Sequence, residues 1–206
     1  MAEPRKLDAW ATWLIIVAAL AVCVLGFTGY QQHAAFRVVQ NDQTGIVYGN
    51  PKGTKIVVEF YDYQCPYCPQ SHARFAEALK NNKDVKVIVR PFAALGPASQ
   101  TLATYMLAAE LQGKGVALHN KIVEQRIPVP RERFLELATE VGVDVARMQS
   151  DAENAALRQR IIDIEDAAFT IGIKAVPTYL LNRTIYVPVG DLPSVEEYSR
   201  LLKSPF

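Results

Sequence analysis

Cys65 and Cys68 flank Pro66 and Tyr67, a spacing at which two thiols can close one disulfide between them and exchange it with another molecule. The attacking species in such an exchange is a thiolate, so one of the two sulfurs must ionise readily. A strand-like apolar run precedes the pair and a helical run over 71–80 follows it. Unpaired N–H groups and the positive end of the helix dipole favour a thiolate at that junction, which assigns the nucleophile to Cys65. Cys68, one turn further in, is placed to attack the mixed disulfide that Cys65 forms, and Pro66 spans the loop without leaving an N–H unpaired. Tyr67 offers Cys65 no more than a neutral hydrogen bond. The Cys65 thiol is therefore expected below its free value of about 8.5, through the helix terminus alone, and above the ~3.5 of the most acidic thiols in such motifs.

Other uses of a cysteine pair ask for residues that are hard to find. Zinc needs four ligands. Besides the pair there are His33, His72, His119 and Cys23, the last within an apolar run, and no fourth ligand is evident even with His72 four positions after Cys68. No metal and no cofactor are expected. A permanent structural disulfide would close too short a loop to stabilise much, and covalent haem attachment needs a histidine where Pro69 stands. His72 and His119 fall in helical runs and read as solvated or packing residues. Glu59, six positions before Cys65 in an otherwise apolar strand, is either a strand-edge carboxylate in water or a buried acid beneath the thiols that takes or returns the proton of Cys68. Val176-Pro177-Thr178 puts a proline inside a strand pattern, which fits an edge strand or a cis peptide bond. A cis turn beside the thiols would leave the backbone of Val176 free to pair with an extended substrate.

These groups need a frame. Lys55–Tyr61 is a short run rich in β-branched and aromatic residues, the mark of a strand covered on both faces. Val85, Val87 and Val89 alternate with Lys86, Ile88 and Arg90 in a second strand closed by Pro91. Residues 31–54 are turn-rich and read as a tether with a short edge strand around 46–48. From about 92 to 172 the period is helical: Phe134, Leu137, Ala138 and Val141 make one stripe, ended by Gly142, and Leu157, Ile161, Ile164, Ala168 and Ile171 make a longer one. Tyr105, Tyr179 and Phe134 read as core. Strand patterns return at 176–181 and 184–189, and Ser194 with Glu197 forms a capping box opening a last helix to about Leu202. Strands interleaved with helices, and interrupted by an all-helical block, predict an α/β fold with a helical insertion.

Between Ala9 and Tyr30 no residue is charged, and about 22 residues rising about 1.5 Å each make roughly 33 Å of helix, enough for a hydrocarbon core of about 30 Å. Arg5 and Lys6 precede this run and Arg37 is the first cation after it, so the positive-inside rule puts the N-terminus in the cytoplasm and residues beyond about 31 outside. A cleaved signal would have a shorter apolar core and a small-x-small site; Gly26-Phe27-Thr28 is a poor one, and Val22 is too bulky for lipoprotein processing at Cys23. The expected organisation is a transmembrane anchor within 1–30, a tether and edge strand over 31–54, and a catalytic domain over 55–206 with its insertion at about 92–172. With 22 basic and 21 acidic residues among 206, half of them apolar, the chain is neither disordered nor a nucleic-acid binder by composition. Three cysteines are too few for a disulfide scaffold.

The run Glu59-Phe60-Tyr61-Asp62-Tyr63-Gln64-Cys65-Pro66-Tyr67-Cys68, with Gln112-Gly113-Lys114, Leu118-His119 and Gly172-Ile173-Lys174-Ala175-Val176-Pro177-Thr178 after it in that order, resembles the thioredoxin superfamily and in particular its DsbA-like branch of bacterial extracytoplasmic thiol:disulfide oxidoreductases. The resemblance implies a thioredoxin fold with an inserted helical domain, a nucleophilic Cys65, a resolving Cys68, a buried acid at Glu59 and a cis Pro177 facing the disulfide. Pro66 and Tyr67, with Val176 and Pro177, would meet the substrate. Cysteine-containing proteins would be the clients of a monomeric enzyme on the outer face of the cytoplasmic membrane. A membrane redox partner, a DsbB-like oxidase or an electron donor, would reset it. Many oxidases of the branch carry His where Tyr67 stands, whereas Pro-Tyr resembles glutaredoxins and some periplasmic isomerases and reductases. Asn182-Arg183-Thr184 replaces a frequent Asn-Gly hairpin. Introduction of disulfides is the leading expectation; reduction or isomerisation at the same site, and a non-catalytic assembly chaperone or metallochaperone, are the alternatives.

Overall fold

A computed structural model describes residues 9–188 and 190–204. The uncharged N-terminal run forms a single helix, α1 (Ala9–Val39), and is followed by β1 (Ile46–Gly49), β2 (Lys55–Tyr61), α2 (Cys68–Leu79) and β3 (Val85–Pro91). Five helices then come in succession: α3 (Pro97–Glu110), α4 (Gly115–Val123), α5 (Arg131–Glu140), α6 (Val145–Ala152) and α7 (Ala155–Thr170). The chain closes with β4 (Thr178–Leu181), β5 (Thr184–Tyr186) and α8 (Val195–Lys203).

The strands form one sheet in the order β1-β3-β2-β4-β5, with β2 and β3 parallel and the other pairs antiparallel. Because side chains alternate along a strand, β2 sends Val57 to the layer of α2 and α8, where it meets Phe75, Tyr198 and Leu202. Val58 and Phe60 go the other way, to Ala35 and Val39 of α1 and Ala167 and Ala168 of α7. The result is a three-layer sandwich. The remaining helices pack around Met106, Leu118, Phe134 and Leu137 in a core that also holds Tyr61, Tyr63, Cys65 and Cys68. The predicted capping box is present: Glu197 N–H donates to Ser194 Oγ and Ser194 N–H to the Glu197 carboxylate.

Several expectations change. The tether does not begin at residue 31, since 31–39 extend α1 and bury Ala35 and Val39 against the sheet. The second half of α7 covers the sheet with α1, so the helical block is not wholly separate from the sandwich. Pro177 lies outside its strand, which starts at Thr178, and the last hairpin strand ends at Tyr186. Val189 of that predicted strand, Arg5, Lys6 and Phe206 lie outside the described residues.

Candidate active site

The turn between β2 and α2 is built by Asp62. Its backbone carbonyl accepts from Cys65 N–H at 3.1 Å, one carboxylate oxygen accepts from Gln64 N–H at 2.8 Å, and the other accepts from Leu95 N–H at 3.1 Å. Gln64 in turn donates to the Val129 carbonyl at 2.9 Å. The loop is thus tied both to the segment after β3 and to the helical block. Pro66 and Tyr67 remain exposed at its tip while Cys65 is 4% exposed and Cys68, the first residue of α2, is fully buried.

Both thiols are free, and their environments push them apart. Cys65 is lowered from 9.0 to about 7, first because the Cys68 thiol donates a hydrogen bond to its sulfur, against some desolvation, and then because the N–H groups of Tyr67 and Cys68 point at it. The expectation that the helix terminus alone lowers this thiol is therefore corrected: the neighbouring S–H contributes most. Cys68 is pushed well up by burial and by its role as that donor. One sulfur, beneath the exposed Pro66-Tyr67 tip, is poised as a thiolate and the other holds its proton, the division of labour that an attacking and a resolving thiol need.

The Val176–Pro177 peptide bond is cis. The Val176 carbonyl lies 3.8 Å from Cys65 Sγ, which brings the half-buried Val176 and the buried Pro177 to the nucleophile from a segment more than a hundred positions away.

Glu59 is wholly buried, so the reading in which it sits in water at a strand edge is removed. Its oxygens meet three donors: Tyr48 Oη at 2.9 Å and His72 Nδ1 at 2.8 Å on Oε2, and Tyr179 Oη at 3.1 Å on Oε1. His72 and His119 are neither solvated nor mere packing. Both are buried, their rings are 4.6 Å apart, and His119 Nε2 lies 3.4 Å from His72 Nδ1 while its Nδ1 lies 3.0 Å from Tyr63 Oη. Burial, and then His72, hold His119 well below the usual histidine range. Glu59, His72 and His119 could each offer a metal one ligand atom within 4.8 Å of the others, and hydrogen bonds engage Glu59 Oε2, His72 Nδ1 and both ring nitrogens of His119. Sequence reading missed Tyr48, His72 and Tyr179 as partners of Glu59, and His119 behind His72; the His72 spacing of four from Cys68 was the one local signal.

Known proteins share this fold. The chain is 30% identical to a thioredoxin-like oxidoreductase from Silicibacter pomeroyi DSS-3, with a TM-score of 0.69 over 80% of this chain and 92% of that one. The thiol-disulfide exchange protein alpha-DsbA2 from Wolbachia pipientis shares the fold at 22% identity, with a TM-score of 0.66 over 81% of this chain and 91% of that one. Over 128 residues the chain is also 27% identical to the Na(+)/H(+) antiporter NhaA 3 of Salinispora tropica, a match taking in 61% of this chain and 20% of that protein, so it spans about a fifth of the length of that curated relative. Residues 41–204 match the family model described as thioredoxin, and with the buried thiol pair and the three-layer sandwich around it this places the chain in the thioredoxin family.

Proposed function

We propose that the protein is a membrane-anchored thiol:disulfide oxidoreductase that introduces disulfides into proteins outside the cytoplasmic membrane. The observation that carries the exchange chemistry is the split pair, a Cys65 at about 7 beside a fully buried Cys68 pushed well up. A client thiolate attacks Cys65 of the Cys65–Cys68 disulfide and Cys68 leaves, taking up a proton. A second client thiolate then attacks the client sulfur of the mixed disulfide and releases Cys65, so that two electrons pass from client to enzyme. The half-buried Val176 backbone beside Cys65 Sγ and the exposed Pro66-Tyr67 tip support an extended client beside Cys65. A membrane redox partner then returns the pair to the disulfide.

Reduction or isomerisation is the second reading, and one observation favours it. A Cys65 thiol at about 7 matches the ~7 of thioredoxin rather than the ~3.5 of the strongest oxidant. Equilibrating the full-length protein in detergent with glutathione buffers separates the two, since the potentials of such oxidants and of thioredoxin lie about 150 mV apart. Trapping tests the chemistry that both share. Cys68→Ser should accumulate mixed disulfides with clients and Cys65→Ser should not; equal trapping by both, or client protection that survives loss of both thiols, would remove the enzyme reading.

A further inference from the structure

We propose that His72 and His119 are positioning residues for the exchange reaction, a buried histidine relay that aims Glu59 so that one carboxylate lone pair stays open for the proton of Cys68. The proposal rests on the exchange chemistry assigned to Cys65 and Cys68, and it follows from counting protons at the contacts around Glu59.

Among the described residues, Glu59 is met by Tyr48 from β1, His72 from α2 and Tyr179 from β4, with His119 from α4 behind His72. Cys68 stands one turn before His72 on the same face of α2, and it feels the Glu59 charge, as do Tyr61, Tyr63 and Tyr198. Burial and the Glu59 charge hold the Tyr48 and Tyr179 hydroxyls well above the usual phenol range, so both keep their protons and act as donors. The Tyr179 proton being committed to Glu59, Ser71 must donate to Tyr179 Oη at 2.9 Å and Tyr198 to Ser71 Oγ at 2.6 Å. This half of the network is directed: α8 to α2 to β4 to Glu59.

The histidine half is directed too. His72 Nδ1 faces two partners, Glu59 Oε2 at 2.8 Å and His119 Nε2 at 3.4 Å. An unprotonated Nδ1 has a single lone pair, which could not receive a proton from both. With the proton on Nδ1, one N–H faces the carboxylate and the bare Nε2 of a neutral His119, and His119 Nδ1–H donates to Tyr63 Oη at 3.0 Å. A charged His119 would set two N–H groups against each other, in line with the burial that keeps it neutral. His119 thereby fixes the proton of His72 on the nitrogen that meets Glu59. A carboxylate has about four acceptor sites, and these donors occupy two on Oε2 and one on Oε1. The remaining Oε1 site is the place for the proton that Cys68 gives up when it attacks and regains when it leaves.

The relay can be tested on the full-length protein in detergent by following two steps of one turnover with a short disulfide-bonded peptide. The rate of Cys65 attack reports the nucleophile, and the rate of mixed-disulfide resolution across pH 5–9 (roughly the span of the groups involved) reports the proton step at Cys68. His72→Leu should slow resolution about 10- to 100-fold, the loss expected when a reacting group is misplaced by about 1 Å, and shift its pH profile, with Cys65 attack changed by no more than about twofold. His72→Asn sets an N–H at the Nδ1 position and should recover resolution to within about threefold. His119→Gln, able to accept at the Nε2 position, should likewise outperform His119→Leu. Equal effects within each pair, or equal slowing of both steps, would overturn the relay. Nitrogen NMR of the unmutated protein reads the assignment without any variant: His72 should carry its proton on Nδ1, and His119 should be neutral with its proton on Nδ1. The opposite tautomer of His119, or one equivalent of tightly bound metal lost on replacing either histidine, would also overturn it. Failure of Cys68→Ser to trap any client strikes at the exchange reading instead, and so stays distinguishable.

Discussion

The Cys68 thiol is the largest single influence lowering Cys65, ahead of either N–H at the helix terminus, and this has a measurable consequence. Cys68→Ala removes the S–H donor but leaves the Tyr67 and Cys68 backbone N–H groups in place, so the Cys65 thiol should rise from about 7 towards its ordinary range, as read by thiolate absorbance. Cys68→Ser keeps an O–H donor and should rise less. The same shift sets a pH dependence. Cys65 ionises more readily in the folded than in the unfolded chain, so its contribution to the stability of the reduced protein is full above 9.0 and is lost as pH falls through about 7. Cys68 acts in the opposite sense above 9.0, where only the unfolded chain would ionise it. Subtracting the stability of Cys65→Ala from that of the unmutated reduced protein isolates the first effect. A difference that does not change between about pH 6 and pH 8 would mean that Cys65 is not depressed by folding.

At the scale of elements, the junction between α1 and the sheet is held by Arg90. This β3 side chain is fully buried, yet among the described residues no carboxylate pairs with it directly. Burial, and then Arg160, pull it to about 10, against a weaker pull from Asp42, so it stays charged at neutral pH. Its donors meet the Val39 carbonyl at 2.8 Å, the Val38 carbonyl at 3.1 Å, the Asn41 carbonyl, and Thr44 Oγ1 at 2.8 Å. The Val38 and Val39 carbonyls belong to the last turn of α1, its negative dipole end, where a guanidinium is favoured, and Asn41 and Thr44 belong to the segment that follows. Arg90→Leu would take the donor from the enclosed Val39 carbonyl and loosen the Val38 and Asn41 carbonyls, and should lower stability by about 1–3 kcal/mol in denaturant titration. Arg90→Lys, with a single point of donors, should fall between. A loss below about 1 kcal/mol for Arg90→Leu would show that α1 ends equally well without the clamp.

Across the whole molecule, the clamp makes the apolar helix continuous with the domain. Thirty-one helical residues at about 1.5 Å each span roughly 46 Å, and a hydrocarbon core takes about 30 Å of that. The remainder corresponds to the C-terminal turns of α1 that pack on the sheet and on α7 through Ala35 and Val39. The exposed Trp10, Trp13, Leu20, Leu25 and Tyr30 lie on the portion that makes no contact with the domain core. The full-length protein should therefore stay with membranes through alkaline carbonate extraction. A reporter fused after the C-terminus should be active only where it works outside the cytoplasm, as the positive charge before the helix implies. A shortened, soluble mature form would overturn the anchor.

Much of the chemistry was local and therefore legible in the chain. A cysteine pair at a strand-to-helix junction, an apolar strand with one carboxylate in it, a proline at the edge of a strand and a Ser-Glu capping box are each defined within about ten residues, the reach over which spacing and backbone preference act. The helix that could cross a membrane was visible for the same reason, because a bilayer asks only for length and the absence of charge. The partners of Glu59 were not legible. Tyr48, His72, Tyr179 and, behind them, His119 reach it from four elements separated by 11 to 120 positions, and no periodicity distinguishes a histidine aimed at a carboxylate from one packed in a helix face. Residues 31–39 were misread for the same reason: their helix is secured by Arg90, 51 positions beyond Val39. Local pattern names the groups that can react. Which of them are dry, which way their protons point and how firmly the anchor is joined are decided by contacts that exist only after the sheet has brought distant segments together.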